Sequence, residues 1–137
     1  MVHALQEAHR VLKPNGILID LRPAADHRRS GLGLGRSWQL VGVLRESLAE
    51  DRAADAAIAT VIRRGLFKSR SRVRFDLDRV MDALDEFRLW IEDFSRVEKY
   101  GDHEWLIERL ARTLARAKHG RKITVRGRMT LGVLEKL

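Results

Sequence analysis

Residues 4–23, ALQEAHRVLKPNGILIDLRP, change periodicity halfway along, and that change decides the fold class. Leu5, Ala8 and Leu12 recur at the spacing of one helix face, which predicts a helix from Val2 to Leu12. Pro14 cannot continue it, and Asn15-Gly16 supplies the left-handed backbone that reverses the chain. The run GILIDLRP that follows, bounded by Gly16 and Pro23, predicts a strand covered on both faces. A helix passing through a tight stop into a buried strand is the building step of an α/β fold.

Further along, GLGLG (residues 31–35) has the spacing of the first half of a dinucleotide fingerprint. Such a loop needs a helix behind it, whose terminal amides meet the phosphate. Here ADHRRS precedes the glycines and SWQLVGVL, which reads as a second strand, follows them. A flexible connection or hairpin loop is expected, the alternative being an anion contact aided by Arg28, Arg29 and Arg36.

Ser47 and Glu50 are spaced as a capping box for a helix over Leu48 to Arg64, with Ala54, Ala57, Ile58, Val61 and Ile62 as its apolar stripe and Gly65 as its stop. SRVRFDL alternates, predicting a third strand with Val73, Phe75 and Leu77 inward. Asp78 is placed to cap a helix that buries Met81, Leu84, Phe87, Ile91 and Phe94. A break at Tyr100 and Gly101 separates it from a helix opened by Asp102, whose core side carries Trp105, Leu106, Leu110, Leu114 and Ala117. KITVRGRMTLGVLEK alternates from Ile123 through Val125, Met129 and Leu131 to Val133, a last strand in which Gly127 marks a bulge or a close backbone approach.

The 137 residues fit one domain, and 45% hydrophobic with 34% charged residues is the balance of a globule rather than of a disordered chain. The absence of cysteine excludes disulfides and thiolate chemistry and fits a cytoplasmic location. No apolar run reaches membrane-spanning length, and the first residues carry no secretory h-region. A net charge of +8 would attract polyanions. Arginine is nevertheless spread along the whole chain, and in RLARTLARAKHGRK it follows the acids of DHEWLIE.

The segment Ala4 to Pro23 resembles class I S-adenosylmethionine-dependent methyltransferases of the small-molecule branch. There a helix ending in Arg-Val-Leu-Lys-Pro-Gly-Gly enters the fifth strand of the sheet. Arg10 to Pro14 and Gly16 match that pattern, and Asn15 stands at the first glycine, a change that a left-handed turn tolerates. The resemblance implies an α/β domain, residues 1–137, with a mixed, partly antiparallel sheet of about four strands and about four helices, like the back half of the family's Rossmann-like fold. An antiparallel last strand would lie beside the fifth. The family's glycine-rich cofactor loop and ribose-binding acid come earlier than the segment matching Met1, so no S-adenosylmethionine site and no catalytic residue are expected in the isolated chain. GLGLG falls after the fifth strand and is not the family's cofactor loop.

Asp20, Arg22 and His27 lie at the carboxyl end of the first strand, where open α/β sheets place ligands, and are the substrate-side candidates. The competing reading is a charged turn with Arg22 paired to an acid. Arg63, Arg64, Lys68, Arg70, Arg72 and Arg74 form the densest basic stretch, which Arg126 and Arg128 would extend. No nucleic-acid recognition module accompanies it, so a solvated face is the favoured reading. Asp76 and Asp78 read as an outward residue and a cap rather than as metal ligands. The five histidines show no paired metal spacing, and no serine sits in a nucleophile elbow. The expectation is a methyltransferase-like half acting through a homodimer or by docking on a complementing half, since the first strand would present an unpaired edge. The alternative is a small basic module for nucleic acid or an acidic protein; no membrane is implied.

Overall fold

The structure, a computed structural model, describes residues 1–34, 36–95 and 103–137. Helix α1 (Val2–Val11) closes with Leu12 in an extended conformation. Asn15 then adopts φ 62°, and the Gly16 amide donates to the Lys13 carbonyl at 2.8 Å, so the chain turns where Pro14 forbids further helix. Strand β1 (Ile17–Pro23) follows at once, then β2 (Arg28–Leu34), β3 (Ser37–Leu44), α2 (Ala49–Arg63), β4 (Phe67–Met81), α3 (Leu84–Ser95), α4 (Glu104–Arg116) and β5 (Lys122–Lys136).

Among the described residues this is an α/β protein of four helices and a five-stranded, largely antiparallel sheet. The sheet runs β1-β5-β2-β3, with β4 also pairing with β5. The number of helices is as expected, but Met81, expected on the buried face of the third, ends β4 instead. The extra strand is β2, which takes in Gly31 and Gly33, so most of GLGLG is ladder rather than loop. Two compact units divide the chain: Met1–Ala25, Leu48–Phe75 and Arg128–Leu137 form the first, Asp26–Ser47 and Asp76–Gly127 the second.

In the first unit Leu5 of α1, Ala57 and Val61 of α2, Phe67 of β4 and Leu134 of β5 make the core, with Leu18 of β1 packed against them. β1 pairs antiparallel with β5, Leu18 opposite Leu134 and Leu21 opposite Leu131. Only one face of β1 is covered: Leu18, Asp20 and Arg22 are half-buried, whereas Ile17, Ile19 and Leu21 are 48%, 65% and 59% exposed. The strand expected to be covered twice is thus open on one side. α2 starts at Ala49 with Leu48 in the capping position, which puts the Ser47–Glu50 box out of register by one residue. Its stop is as read, Gly65 at φ 69°. Val73 and Phe75, expected inward, are exposed on β4.

The second unit has its own core, in which Leu32 of β2, Leu44 of β3, Phe87 of α3, Leu106 and Leu110 of α4, and Ile123 of β5 are all but fully buried. β2 and β3 form an antiparallel pair whose register shifts between Ser30 and Gly31. That irregularity, rather than Gly127, is where backbone approaches closely. A Cβ on Gly31 would run into the Gln39 carbonyl and lie 2.9 Å from Cε2 of Trp38, whereas one on Gly127 would meet only the Arg28 side chain, 3.6 Å away at its nearest atom.

Asp78 lies inside β4 and caps nothing. At the start of α3 it is Glu86 that reaches back to the Asp82 amide, at 3.3 Å. The break at Tyr100 and Gly101 and the opening at Asp102 lie outside the described residues. α4 buries Ile107 and leaves Trp105 exposed, reversing the expected face at its first turn. The face of β5 also departs from strict alternation: Ile123 and Val125 are buried in this unit, while in the first unit Thr130 and Leu134 are buried and Leu131 and Val133 are only half so.

Candidate functional site

Asp20 and Arg22, two residues apart on β1, point to the same side of the strand and meet there. Arg22 donates from Nε to Asp20 Oδ2 at 3.0 Å and from Nη2 to Asp55 Oδ1 of α2 at 2.6 Å; Arg72 of β4 reaches the same Asp55 oxygen at 2.8 Å. Partial burial works against the Asp55 charge, but donation from Arg22 and the charges of Arg22 and Arg72 outweigh it and hold the carboxyl below its ordinary range. Burial works against the Arg22 charge too, but Asp55 and Asp20 outweigh it and raise the guanidinium above its ordinary value. A carboxylate pushed down in this way is a poor proton acceptor at neutral pH. The cluster ties β1, α2 and β4 together and offers no nucleophile. His27 belongs to another group, in the second unit, where its Nδ1 accepts the Glu46 amide at 3.2 Å. Arg28 Nη1 donates to Glu46 Oε1, and its guanidinium carbon sits 4.7 Å from the centre of the Phe94 ring.

The basic stretch read from the sequence is partly neutralised. Arg70 donates to Glu135 and Arg72 to Asp55, while Arg63 is spent on Thr60 Oγ1 at 3.2 Å. Arg126, taken as an extension of that stretch, is clamped by both oxygens of Asp78 at 2.7 and 2.8 Å. Donation from Arg126 lowers the Asp78 carboxyl further than its partial burial raises it. Arg29 bonds Asp76 at 3.1 Å. The carboxylates of Asp76 and Asp78 therefore balance Arg29 and Arg126, which lie directly opposite each other in the β2–β5 ladder. Asp78 is thus held by Arg126 inside β4 and is not the helix cap expected of it. No group of three or more metal-ligating side chains occurs among the described residues.

In the second unit a hollow of about 490 Å³, with Asp82 and His119 in its wall, shares Ala117, Lys118 and Arg121 with the larger of two others. The smaller of those two, of about 370 Å³, is lined by Trp38, Arg36, Asp78, Lys122 and Arg126. Arg126 sits 4.4 Å above the Trp38 ring, and Lys122 is held by Asp82, so two of its three cations are already engaged. The other, of about 610 Å³, runs along α4 and takes Arg109, Arg112, Arg116, Lys118 and Arg121 into its wall, with Gln39, Thr113 and Ala117 and no acid. None of these five cations forms an ion pair among the described residues. The sequence reading had set them beside the acids of the same helix. The signal that would have found them is the i, i+3, i+7 spacing of Arg109, Arg112 and Arg116, which keeps them on one face.

Gly31 and Gly33 stand in strand β2 and not in a turn that opens a helix. No helix among the described residues is long and apolar enough to cross a membrane. No protein-family model, curated protein or solved structure matches the chain.

Proposed function

We propose that this chain is a methyltransferase-like half that works by association, completing its sheet with a strand from a second polypeptide, in the simplest case a second copy of itself. The observation that carries the reading is the state of β1, which pairs antiparallel with the last strand on one side and ends the sheet on the other. That pairing of the post-helix strand with the final strand is the arrangement the resemblance implies. The bonds from Lys136 N to Gly16 O and from Ala24 N to Arg128 O put the even-numbered residues of β1 in register with β5. The backbone groups of Ile17, Ile19 and Leu21 consequently point away from β5, toward the bare edge. An edge of this kind, flanked by the exposed aliphatic side chains of Ile17, Ile19 and Leu21, is a template for strand addition. Nothing in the Asp20–Arg22–Asp55 cluster supplies methyl-transfer chemistry, and a second copy brings the same residues, so a homodimer does not transfer methyl groups and catalysis needs a complementing chain.

Ile19→Pro tests this, because proline removes a donor from the bare edge without touching a bond to β5. Light scattering on the unmodified protein is expected to give about twice the 15.8 kDa chain mass, and the variant one chain mass with an unchanged circular dichroism spectrum. A wild-type monomer whose Ile17, Ile19 and Leu21 amides exchange freely at high concentration would sink the dimer. A dimer that survives Ile19→Pro would move the interface elsewhere.

A further inference from the structure

The groove on α4 concentrates five positive charges in one hollow of the second unit. Outside it, Arg22, Arg28, Arg29, Arg70, Arg72, Arg126 and Lys122 each hold a carboxylate, which none of these five does among the described residues. Here Arg109 lies against the Trp105 ring, 5.9 Å from its centre, and Arg121 reaches only the Ser37 hydroxyl, at 3.4 Å, with its Nη1 buried and without an acceptor. A buried guanidinium N–H with no partner is costly, and like charges gathered along one wall repel; both costs fall when an anion enters.

The chemistry of the wall narrows the ligand. Arg109, Arg112 and Arg116 climb one face of α4 over seven residues, roughly 10 Å of helix. They present a row of charge rather than a single socket. Arginine suits phosphate because its planar fork donates two bonds at once. A bound acidic peptide would draw its affinity from apolar anchors, and the only apolar residue in the wall is Ala117. No aromatic ring lines the groove for stacking unpaired bases. What remains is a repeating phosphodiester backbone, whose binding needs charge alone because released counterions supply the free energy.

We propose that the α4 groove, Arg109, Arg112, Arg116, Lys118 and Arg121, binds the backbone of a duplex nucleic acid without reading its sequence. The site is independent of the β1 edge and of the methyltransferase-like reading.

Fluorescence anisotropy tests it, using a labelled 20-base-pair DNA duplex, an RNA duplex of the same sequence and a labelled poly-glutamate of similar charge. The dissociation constant is expected to rise with salt along a log–log line of slope about 3 to 4.5, from about 0.9 per phosphate neutralised. Arg109→Gln/Arg112→Gln/Arg116→Gln should weaken binding more than tenfold and lower the slope by about 2.7, three contacts at about 0.9 each. Arg112→Gln alone, which keeps the fold readable if the triple variant loses it, should lower the slope by about 0.9. Arg63→Gln/Arg64→Gln, a similar loss of charge in the other unit, should change binding less than twofold. DNA bound in preference to RNA, or the reverse, names the source of the backbone. The proposal is overturned by tighter binding to poly-glutamate than to either duplex, by affinity indifferent to salt, or by equal losses in the groove and Arg63/Arg64 variants.

Discussion

Gly31 stands where β2 shifts register against β3, and the space its side chain would need is filled by the Gln39 carbonyl and the Trp38 ring. Backbone gives way less readily than a side chain, so a methyl group there must push two strands apart. Gly31→Ala is expected to cost about 2 kcal/mol in urea denaturation, within the range of overpacking a close site. A variant as stable as the parent would mean that the bulge is not tightly held. At the same scale Arg29 and Arg126 show why Asp78 was misread as a cap. Two guanidiniums facing each other across a ladder are unfavourable unless acids intervene, and Asp76 and Asp78 are those acids. Nothing local to residues 76–78 reveals that partnership, because Arg29 and Arg126 come from distant parts of the chain.

Among the elements, the helices were the most legible. The stripe of α2, that of α3 from Leu84 onward, and the stops at Pro14 and Gly65 depend on neighbours within one or two turns, and they stand where periodicity put them. The strands were less so. β4 alternates as a half-buried strand should, yet both of its faces lie exposed from Lys68 to Val80, Val73, Phe75 and Leu77 included, since alternation says that two faces differ and not that a core covers either. This difference is measurable. Phe87→Ala, which empties a fully buried site in α3, is expected to cost about 3–5 kcal/mol, whereas Leu77→Gln should stay within about 0.5 kcal/mol. Comparable losses from both in thermal or urea unfolding would place Leu77 against a partner surface and contradict its exposure here. The candidate site followed the same division: the row of arginines on α4 is readable from spacing, but its freedom from ion pairs is not.

For the whole molecule, the charge ledger matters more than the total of +8. Asp55, Asp78 and Glu135 all sit below their ordinary carboxyl range. At Asp55 arginine donation overcomes burial; at Asp78 and Glu135 donation from Arg126 and Arg70 comes first. A depressed folded pKa gives stability that is complete above the unfolded value, near 4, and disappears as pH falls through the lower folded value. Urea midpoints should therefore hold steady near neutral pH as far as these groups are concerned and fall below about pH 4. Asp55→Asn, less stable than the parent at pH 7, should close most of that gap at about pH 2. A gap of constant size across the range would show that the Arg22–Asp55–Arg72 cluster acts through packing and not through charge. The sequence by itself determined the α/β class, the helix stops and the apolar faces of the helices, because each depends on backbone preferences and spacings within a few residues. Only the tertiary structure decided that Gly31 and Gly33 lie in a ladder, which face of β1 stays open, that β4 is exposed on both faces between its ends, and which arginines are neutralised. Those outcomes depend on strands and carboxylates brought together from far apart in the chain, and side-chain spacing along one segment carries no record of them.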